Sequence, residues 1–491
     1  MKRAVVVGAG LGGISAALRL RSHGYHVVIA DKLDQLGGRA RVFKQDGFTF
    51  DAGPTVITAP FLINELFALF GKDAKDYMEL REVEPWYRFE FNDGSHFDYG
   101  GTLADTLREI EKINPSDMKG YQALLKKSQQ IFDIGFTKLS STPFHSISTL
   151  LKEVPQMIKL RADRSVYRLV SSYLKDDRLR RAFSIQPLLV GGNPFDTTCI
   201  YNLIHYLERQ WGIHYVMGGT GALIAALGRL MEEEGIQILL DAEIVRFEGA
   251  QRITKAVLKS GQELEADVFV CNAEPSFVYE NLVPSAYNKK WNSRRLNNLE
   301  YSMGLFVLYF GTNRQYLDVK HHTIVMGDSY KGLLDSIFSR KELRYDDMSL
   351  YLHRPTATDP QMAPPACDSF YVLSPVPNMK SGVDWVKEAE PYKNKVYEKL
   401  EERILPELRS HIVSENVMTP LDFKADYHAR FGSGFSVAPR FSQSAYFRFH
   451  NKSEDFENLF FVGAGTHPGA GIPGVISSSK VLDRLFSQKT A

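Results

Sequence analysis

The 491-residue chain contains little cysteine and no excess of charge of either sign. Cys199, Cys271 and Cys367 lie far apart in the sequence and form no C-x-x-C pair. This spacing argues against a disulfide framework or a cysteine-bound metal and predicts buried thiols in a reducing compartment. Lysine plus arginine (59) nearly equal aspartate plus glutamate (58), so the overall charge does not favour a nucleic-acid partner.

Long apolar segments are also scarce. The longest nearly uncharged stretch, residues 459–479, is long enough to cross a bilayer, but it contains five glycines and two prolines, which are typical of loops. The basic residues at the N-terminus precede an apolar stretch that glycines interrupt, and no cleavage site of small residues follows. We therefore expect a cytoplasmic chain without a transmembrane segment.

The first forty residues combine four features in the order typical of a dinucleotide-binding unit. Apolar residues 4–7 predict a buried parallel strand, and a G-x-G-x-x-G pattern and an apolar helix follow it directly. Glycines at this spacing allow a tight turn, a close approach of the backbone to a pyrophosphate and close packing of helix on strand. A second strand, residues 27–30, ends at an acid that can bind a ribose hydroxyl. The candidate cofactor-binding residues here are Gly8, Ala9, Gly10, Gly12, Gly13 and Asp31.

A second glycine turn begins at Gly37, shortly after the second strand. A turn so close to the ribose-binding acid resembles the extended fingerprint of FAD enzymes in the glutathione-reductase-like group. The alternative is an ordinary surface turn with a solvated arginine. The further candidates for cofactor binding are Gly38, Arg39, Gly53, Pro54 and Thr55, together with Val245 in the strand-like segment 236–248.

A third glycine-rich cluster lies near the C-terminus, directly after the apolar strand 459–462. Strand, glycine turns and a helix predicted from Val475 onward would place another helix N-terminus against a ligand. In a flavoprotein such a terminus can stabilise negative charge on the reduced flavin. The cofactor-binding candidates in this cluster are Gly463, Gly465, Pro473, Gly474 and Val475.

Taken together, these motifs resemble the bacterial carotenoid desaturases of the phytoene desaturase type, over essentially the whole chain. Segments 189–194, 443–445 and 466–469 also carry the resemblance. Three positions depart from it. Asp31 stands where many relatives have Glu, Gly465 stands where the wider amine-oxidase superfamily has an acidic residue, and Phe449 stands where relatives often have Pro. The resemblance implies FAD as the cofactor and an α/β fold. That fold has a Rossmann-like FAD-binding domain of the glutathione-reductase/amine-oxidase type, a mixed β-sheet substrate domain and a helical membrane-contacting subdomain.

The domain boundaries follow from the order of the segments. An alternating hairpin pattern over residues 86–99 indicates a sheet outside the nucleotide fold, and a mostly helical pattern follows it. We predict an FAD-binding domain from residues 1–72, 213–280 and 455–491. The substrate domain comprises residues 73–102 and 281–454, and the helical subdomain comprises residues 103–212.

The chemistry that the resemblance implies is desaturation of phytoene to lycopene or to a shorter-conjugated intermediate. The reacting carbons are not acidic, so hydride loss to the flavin is expected, with proton loss from the adjacent carbon. The protein mainly orients the substrate and excludes water. His467 is the candidate base or cation stabiliser, and the alternative is that it orients its own loop. His321 and His322 show no ligand partners at metal spacing, so no metal site is predicted.

The expected partners are a hydrophobic carotenoid from the bilayer and quinone or oxygen as electron acceptor, since only one full dinucleotide fingerprint is present. Residues 138–168 contain six basic and two acidic side chains among apolar ones, which is typical of peripheral contact with the inner face of the cell membrane. A helix packed on the core is the alternative. Other enzymes on this fold, namely a related desaturase or oxidase, an isomerase or a saturase, stay open, as does a non-enzymatic prenyl-lipid escort protein.

Overall fold

The computed structural model describes residues 2–487. Its first layer is a five-stranded sheet in which every neighbouring pair of strands is parallel. The short apolar runs of the sequence form these strands, because both faces of such a sheet are covered. We call it the parallel sheet, and its strands are, in spatial order, Leu459–Phe461, Val268–Cys271, Arg3–Val7, His26–Ala30 and Gln237–Leu239.

Two helices that follow strands of the parallel sheet pack against each other. Helix Leu11–Ser22 follows the first strand and contacts helix Ile472–Ser487. The second of these helices begins at Ile472 rather than at the predicted Val475, since Pro473 is compatible with the first helical turn. Both helices therefore begin directly after a glycine-rich segment.

Two segments that the sequence pattern predicts as single strands each divide between two sheets. Segment 236–248 splits near Asp241, which has φ of 51°, and only its first part joins the parallel sheet. Segment 262–271, whose apolar residues 266–271 also predict a strand, likewise splits before Val268–Cys271. The remaining parts form a three-stranded antiparallel sheet of Ile244–Gly249, Ile253–Leu258 and Glu263–Glu265.

The second layer is a seven-stranded mixed sheet, which confirms the predicted hairpin and the second sheet. All neighbouring pairs are antiparallel except one, which joins the hairpin to the later strands. We call it the mixed sheet, and its strands are, in spatial order, Ile412–Met418, Gly304–Thr312, Asp368–Val376, Leu350–His353, His322–Val325, Tyr87–Glu90 and His96–Tyr99. Two-stranded ladders join Val42–Gln45 to Phe48–Asp51 and Leu80–Glu82 to His214–Val216.

The region predicted to be helical contains six α-helices: Leu103–Ile113, Met118–Gly135, Ile147–Leu160, Val166–Ser171, Asp177–Phe183 and Leu203–Trp211. Pro155 lies inside helix Ile147–Leu160, so the helix continues through it and no new helix begins there. The ring leaves the Leu151 carbonyl without an i+4 N–H donor.

The other α-helices connect the layers: Pro60–Ala68, Gly219–Glu233, Pro275–Phe277, Ser293–Asn298, Tyr330–Asp335, Trp385–Arg403, Leu408–His411 and Pro420–Tyr427. Among residues 2–487, no helix is both long and apolar enough to cross a bilayer. The α/β class with one parallel and one mixed sheet agrees with the prediction. The boundaries of the three domains stay a prediction.

Candidate functional site

A continuous cavity runs between the two sheets and reaches the helical region. Residues from the N-terminal turn, the second glycine turn and the C-terminal cluster all line it. Strands of the mixed sheet contribute apolar and tyrosine side chains to the same wall. The fold therefore joins a nucleotide-type turn to a large apolar space.

The N-terminal glycine turn is packed so closely that its glycines have no room for side chains. A Cβ on Gly13 would overlap the carbonyl oxygen of Gly8, and a Cβ on Gly12 would overlap Asn272 and touch Gly463. Asn272 follows strand Val268–Cys271 and lies between the two glycine clusters. Its position between clusters that are distant in the sequence is visible only in the fold.

Two helix N-termini border the cavity. Leu11 and Gly12 begin the first helix, whose N-cap Gly10 provides no side-chain hydrogen bond, and Ile472 begins the last one; all of these residues line the cavity. Free N–H groups and the positive end of a helix dipole favour anions. The pair of termini therefore suits the negatively charged parts of a dinucleotide.

Asp31 directly follows strand His26–Ala30 of the parallel sheet and lines the cavity. Its Oδ2 accepts a hydrogen bond from the Ala9 N–H at 2.6 Å, and its Oδ1 accepts one from the Leu33 N–H at 2.8 Å. Burial raises the pKa of the carboxyl, and these two N–H groups oppose the rise. Each oxygen keeps a lone pair for a ribose hydroxyl.

Arg39 provides an independent sign that an anionic group belongs in this cavity. It lines the wall, and its Nε and Nη2 are buried with no hydrogen-bond partner among the described residues. Glu274, which also lines the wall, accepts hydrogen bonds from Ser276 and Ser436 instead. The guanidinium lies over the Tyr427 ring, 5.2 Å from its centroid, but these two N–H groups have no acceptor. Burying N–H groups without an acceptor is costly, and a phosphate oxygen would satisfy them. The residues present thus fit FAD.

Most of the predicted cofactor-binding residues lie in the cavity wall: Gly8, Gly10, Gly12, Asp31, Gly38, Arg39, Gly53, Pro54, Thr55, Pro473, Gly474 and Val475. Ala9, Gly13, Gly463 and Gly465 lie beside it in the packed turns. Val245 is 36% exposed, and its neighbour Ile244 contacts the cavity in its place. Lining the cavity is a matter of position, so the cofactor-binding role of all seventeen residues stays a prediction.

We expect Asp31→Ala to weaken FAD binding about tenfold or more, because it removes a charge-assisted hydrogen bond worth about 1.5–3 kcal/mol. Asp31→Asn, which keeps one acceptor oxygen, should lose less affinity. Asp34→Ala is the matched control, since Asp34 is exposed three residues further along the same loop. Fluorescence titration of flavin-free protein with FAD measures the FAD affinity of all three variants. An Asp31→Ala variant that binds FAD as tightly as the wild type would contradict the role of Asp31 in FAD binding.

The remainder of the cavity wall is apolar and comes largely from the helical region. It includes Ile134, Phe136, Leu139, Phe144, Leu150, Met157, Leu160 and Leu188. Phe441 and Phe447 line the cavity as well and are 47% and 42% exposed. The cavity therefore opens to the surface beside these two rings.

Glu208 is a polar residue of this apolar wall that the sequence reasoning missed. It is fully buried, its Oε1 accepts a hydrogen bond from the Tyr87 hydroxyl at 3.2 Å, and its Oε2 has no partner among the described residues. Burial raises the pKa of Glu208 to about 8, so the carboxyl is mostly protonated at neutral pH. Nothing in its local sequence, a helix with an ordinary apolar face, indicates this environment.

His467 lies in the cavity wall, as expected for either of its two predicted roles. Its Nε2 hydrogen-bonds the carbonyl of Leu139 at 2.8 Å, and Phe144 packs edge-on against its ring. Burial lowers the pKa of His467 to about 4, so the ring is neutral. Because the Leu139 carbonyl can only accept a hydrogen bond, the proton of the neutral ring is on Nε2, and Nδ1 keeps the lone pair.

Comparison with known proteins places this geometry in a family context. Residues 11–480 match the family model described as flavin containing amine oxidoreductase. The chain is 44% identical to the lycopene-forming phytoene desaturase of Pseudescherichia vulneris, over 99% of both chains. It is 42% identical to the neurosporene-forming phytoene desaturase of Rhodobacter capsulatus, over 99% of this chain and 94% of that one. An oxidoreductase of Methanosarcina mazei has the same fold, with a TM-score of 0.65, 16% identity and coverage of 99% and 100%.

Proposed function

Because the chain belongs to the flavin-containing amine oxidoreductases, and among them to the phytoene desaturases, we propose that it desaturates phytoene with FAD as cofactor. The product is lycopene or a less conjugated intermediate such as neurosporene. The observation that carries the proposal is 44% identity over the full chain to a lycopene-forming relative. The apolar cavity beside the nucleotide turn supports it.

Each desaturation converts a C–C single bond beside a polyene into a double bond by removing a hydride and a proton. Bound FAD supplies the hydride-accepting chemistry. The chain's own residues hold the cofactor through the glycine turns, Asp31 and Arg39. The apolar wall orients the hydrocarbon and excludes water, which is the main contribution a protein makes to such a step.

The proton acceptor is the second part of the proposal. His467 is neutral and keeps a lone pair on Nδ1, so it is a modest base in the cavity wall. A strong base is unnecessary, because a proton next to an allylic cation is labile. Its hydrogen bond to the Leu139 carbonyl also supports the alternative in which His467 orients its loop.

Membrane contact through helix Ile147–Leu160 is the third part of the proposal. Leu150, Met157 and Leu160 on one side of this helix line the cavity. Ile147, Leu151, Pro155 and Ile158, on another side, are exposed and follow helical spacing. We call these four the exposed stripe. It lies on the element that also contacts segment Ala445–Phe447 at the cavity opening.

Basic side chains flank the exposed stripe. Lys152, Lys159 and Arg161 are exposed, and each cation near an anionic bilayer contributes about 1 kcal/mol of attraction. Phytoene is too apolar to diffuse through water, so an opening that touches lipid would admit it directly. These features support a protein that docks peripherally on the inner face of the cell membrane, in the cytoplasm.

The experiment that tests the function supplies purified FAD-loaded protein with phytoene in anionic liposomes, without oxygen. We expect longer-conjugated products by chromatography when quinone is added, and likewise when oxygen is admitted. NAD⁺ alone should support no turnover, since one dinucleotide fingerprint is present. Turnover with NAD⁺ alone would contradict the proposed acceptor.

The same assay separates the alternatives. An isomerase changes the geometry of the polyene without consuming acceptor, and a saturase shortens conjugation. An escort protein binds lipid without turnover and purifies without a flavin spectrum. FAD-loaded protein that leaves phytoene unchanged with both quinone and oxygen would overturn the desaturase proposal.

A further inference from the structure

Three buried histidines meet at the ends of two central strands of the mixed sheet, outside the cavity wall. His322 and His353 are register partners on neighbouring antiparallel strands, and His321 precedes the first of these strands. Their exposed fractions are 3% or less. The sequence shows no ligand partner for His321 and His322 at metal spacing. In the fold, strand pairing places His353 beside them as a third imidazole.

Each of the three rings has one nitrogen bound to an outer group. His321 Nδ1 lies 2.6 Å from Thr358 Oγ1, His322 Nδ1 lies 2.7 Å from the Tyr351 hydroxyl, and His353 Nε2 lies 3.3 Å from Asp51 Oδ2. The Asp51 carboxylate is itself held by the backbone N–H and the hydroxyl of Thr220. These outer contacts orient the rings as partners of metal-bound histidines do.

The three remaining ring nitrogens have no partner. His321 Nε2, His322 Nε2 and His353 Nδ1 are buried and have no hydrogen-bond partner among the described residues. One nitrogen from each of the three rings lies within 4.8 Å of the other two. A buried nitrogen without a hydrogen-bond partner is uncommon in a folded protein, and here there is one on each of three neighbouring rings. This arrangement calls for an occupant between the rings.

We infer that His321, His322 and His353 form a binding site for one divalent transition-metal ion, for which Zn²⁺ is the representative probe. Neutral imidazole suits zinc and its neighbours in the first transition row rather than Mg²⁺ or Ca²⁺. Zn–N bonds of about 2.0–2.1 Å in a tetrahedron place ligand nitrogens roughly 3.4 Å apart. The ring nitrogens lie within 4.8 Å of one another, so the rings must move closer together when an ion binds.

Charge around the cluster is compatible with a cation. Asp51 supplies a buried negative charge directly behind His353. The nearby Arg354 guanidinium is already paired with Asp368, at 2.9 and 3.1 Å. The ion would therefore lie near the negative charge of Asp51, and the positive charge of Arg354 would already be neutralised by Asp368.

The position of the cluster gives the ion a positioning role. Asp51 directly precedes the segment Ala52–Thr55, which lines the cavity, and Tyr351 lies in the wall between His322 and the cavity. An ion held by the three rings would tie two strands of the mixed sheet to the segment that borders the cofactor. It does not touch the cavity, so no catalytic step passes through it.

The test measures zinc bound to the FAD-loaded protein, purified through a tag without histidine and equilibrated with Zn²⁺ before dialysis. We expect one zinc per chain by mass spectrometry, lost in His353→Gln and His321→Gln. His205→Gln, a buried histidine elsewhere, and His96→Gln, an exposed one, are controls that should keep it. Zinc should also raise the thermal midpoint of the wild type and leave that of His353→Gln unchanged.

X-ray absorption of the zinc-loaded wild type keeps the inference falsifiable if the variants fail to fold. Three nitrogen ligands at about 2.0–2.1 Å are expected. A shell dominated by carboxylate oxygen, or substoichiometric zinc in the wild type, would overturn the site and indicate a bound water between the rings instead. Neither result depends on turnover.

Discussion

Gly13→Ala should yield protein that purifies without FAD. A Cβ at this position overlaps the carbonyl oxygen of Gly8, which is backbone and cannot rotate away. The turn must therefore move, and with it the N–H groups and the close approach on which pyrophosphate binding depends. Overpacking of this kind costs about 1–3 kcal/mol, equivalent to about 5- to 150-fold in FAD affinity.

The matched control for Gly13→Ala is Gly228→Ala, because Gly228 is also a buried helical glycine. Its Cβ would meet only the end of the Leu36 side chain, at 3.0 Å, and alanine favours the helix by about 0.5–1 kcal/mol. Gly228→Ala should keep the flavin absorbance of the wild type. Equal FAD content in Gly13→Ala would show that the turn does not hold the cofactor.

Replacing Leu151 and Ile158 by Asp should abolish co-sedimentation with anionic liposomes and turnover of membrane-embedded phytoene, while FAD stays bound. The two side chains are 62% and 67% exposed, so the folded protein tolerates the change. Each apolar side chain removed from a lipid contact forfeits about 1.5–3 kcal/mol. The pair therefore accounts for at least about 100-fold in membrane affinity.

Leu317→Asp with Val386→Asp is the matched control, since these side chains are exposed apolar residues elsewhere on the surface. A second variant replaces the basic residues Lys152, Lys159 and Arg161 by Glu. It should also fail to co-sediment with anionic liposomes, and co-sedimentation of the wild type should weaken as salt is added. Arg164 is left unchanged, because its Nε is buried and the substitution would disturb the fold. Unchanged sedimentation of both variant sets would place the docking surface elsewhere.

Local spacing was sufficient to predict the cofactor turn. The strand, the glycines, the helix and Asp31 lie within one short stretch, and the role of each glycine depends on backbone atoms a few residues away. The same applies to the hairpin Tyr87–Glu90 with His96–Tyr99. Boundaries were less predictable at Asp241, where a left-handed residue moves the chain from one sheet to another without altering the apolar pattern.

The sequence by itself thus determined the strand–glycine–helix turn and the position of Asp31 after strand His26–Ala30, because these residues lie close together in the chain. It also determined the family resemblance, which depends on the order and spacing of motifs along the chain. Only the tertiary structure placed Asn272 between two glycine clusters, buried Glu208 in an apolar wall, and divided helix Ile147–Leu160 into a cavity side and an exposed stripe. It alone brought His353 to His321 and His322. The physical reason is that strand pairing and packing join residues far apart in sequence, and burial then sets their protonation and their need for partners.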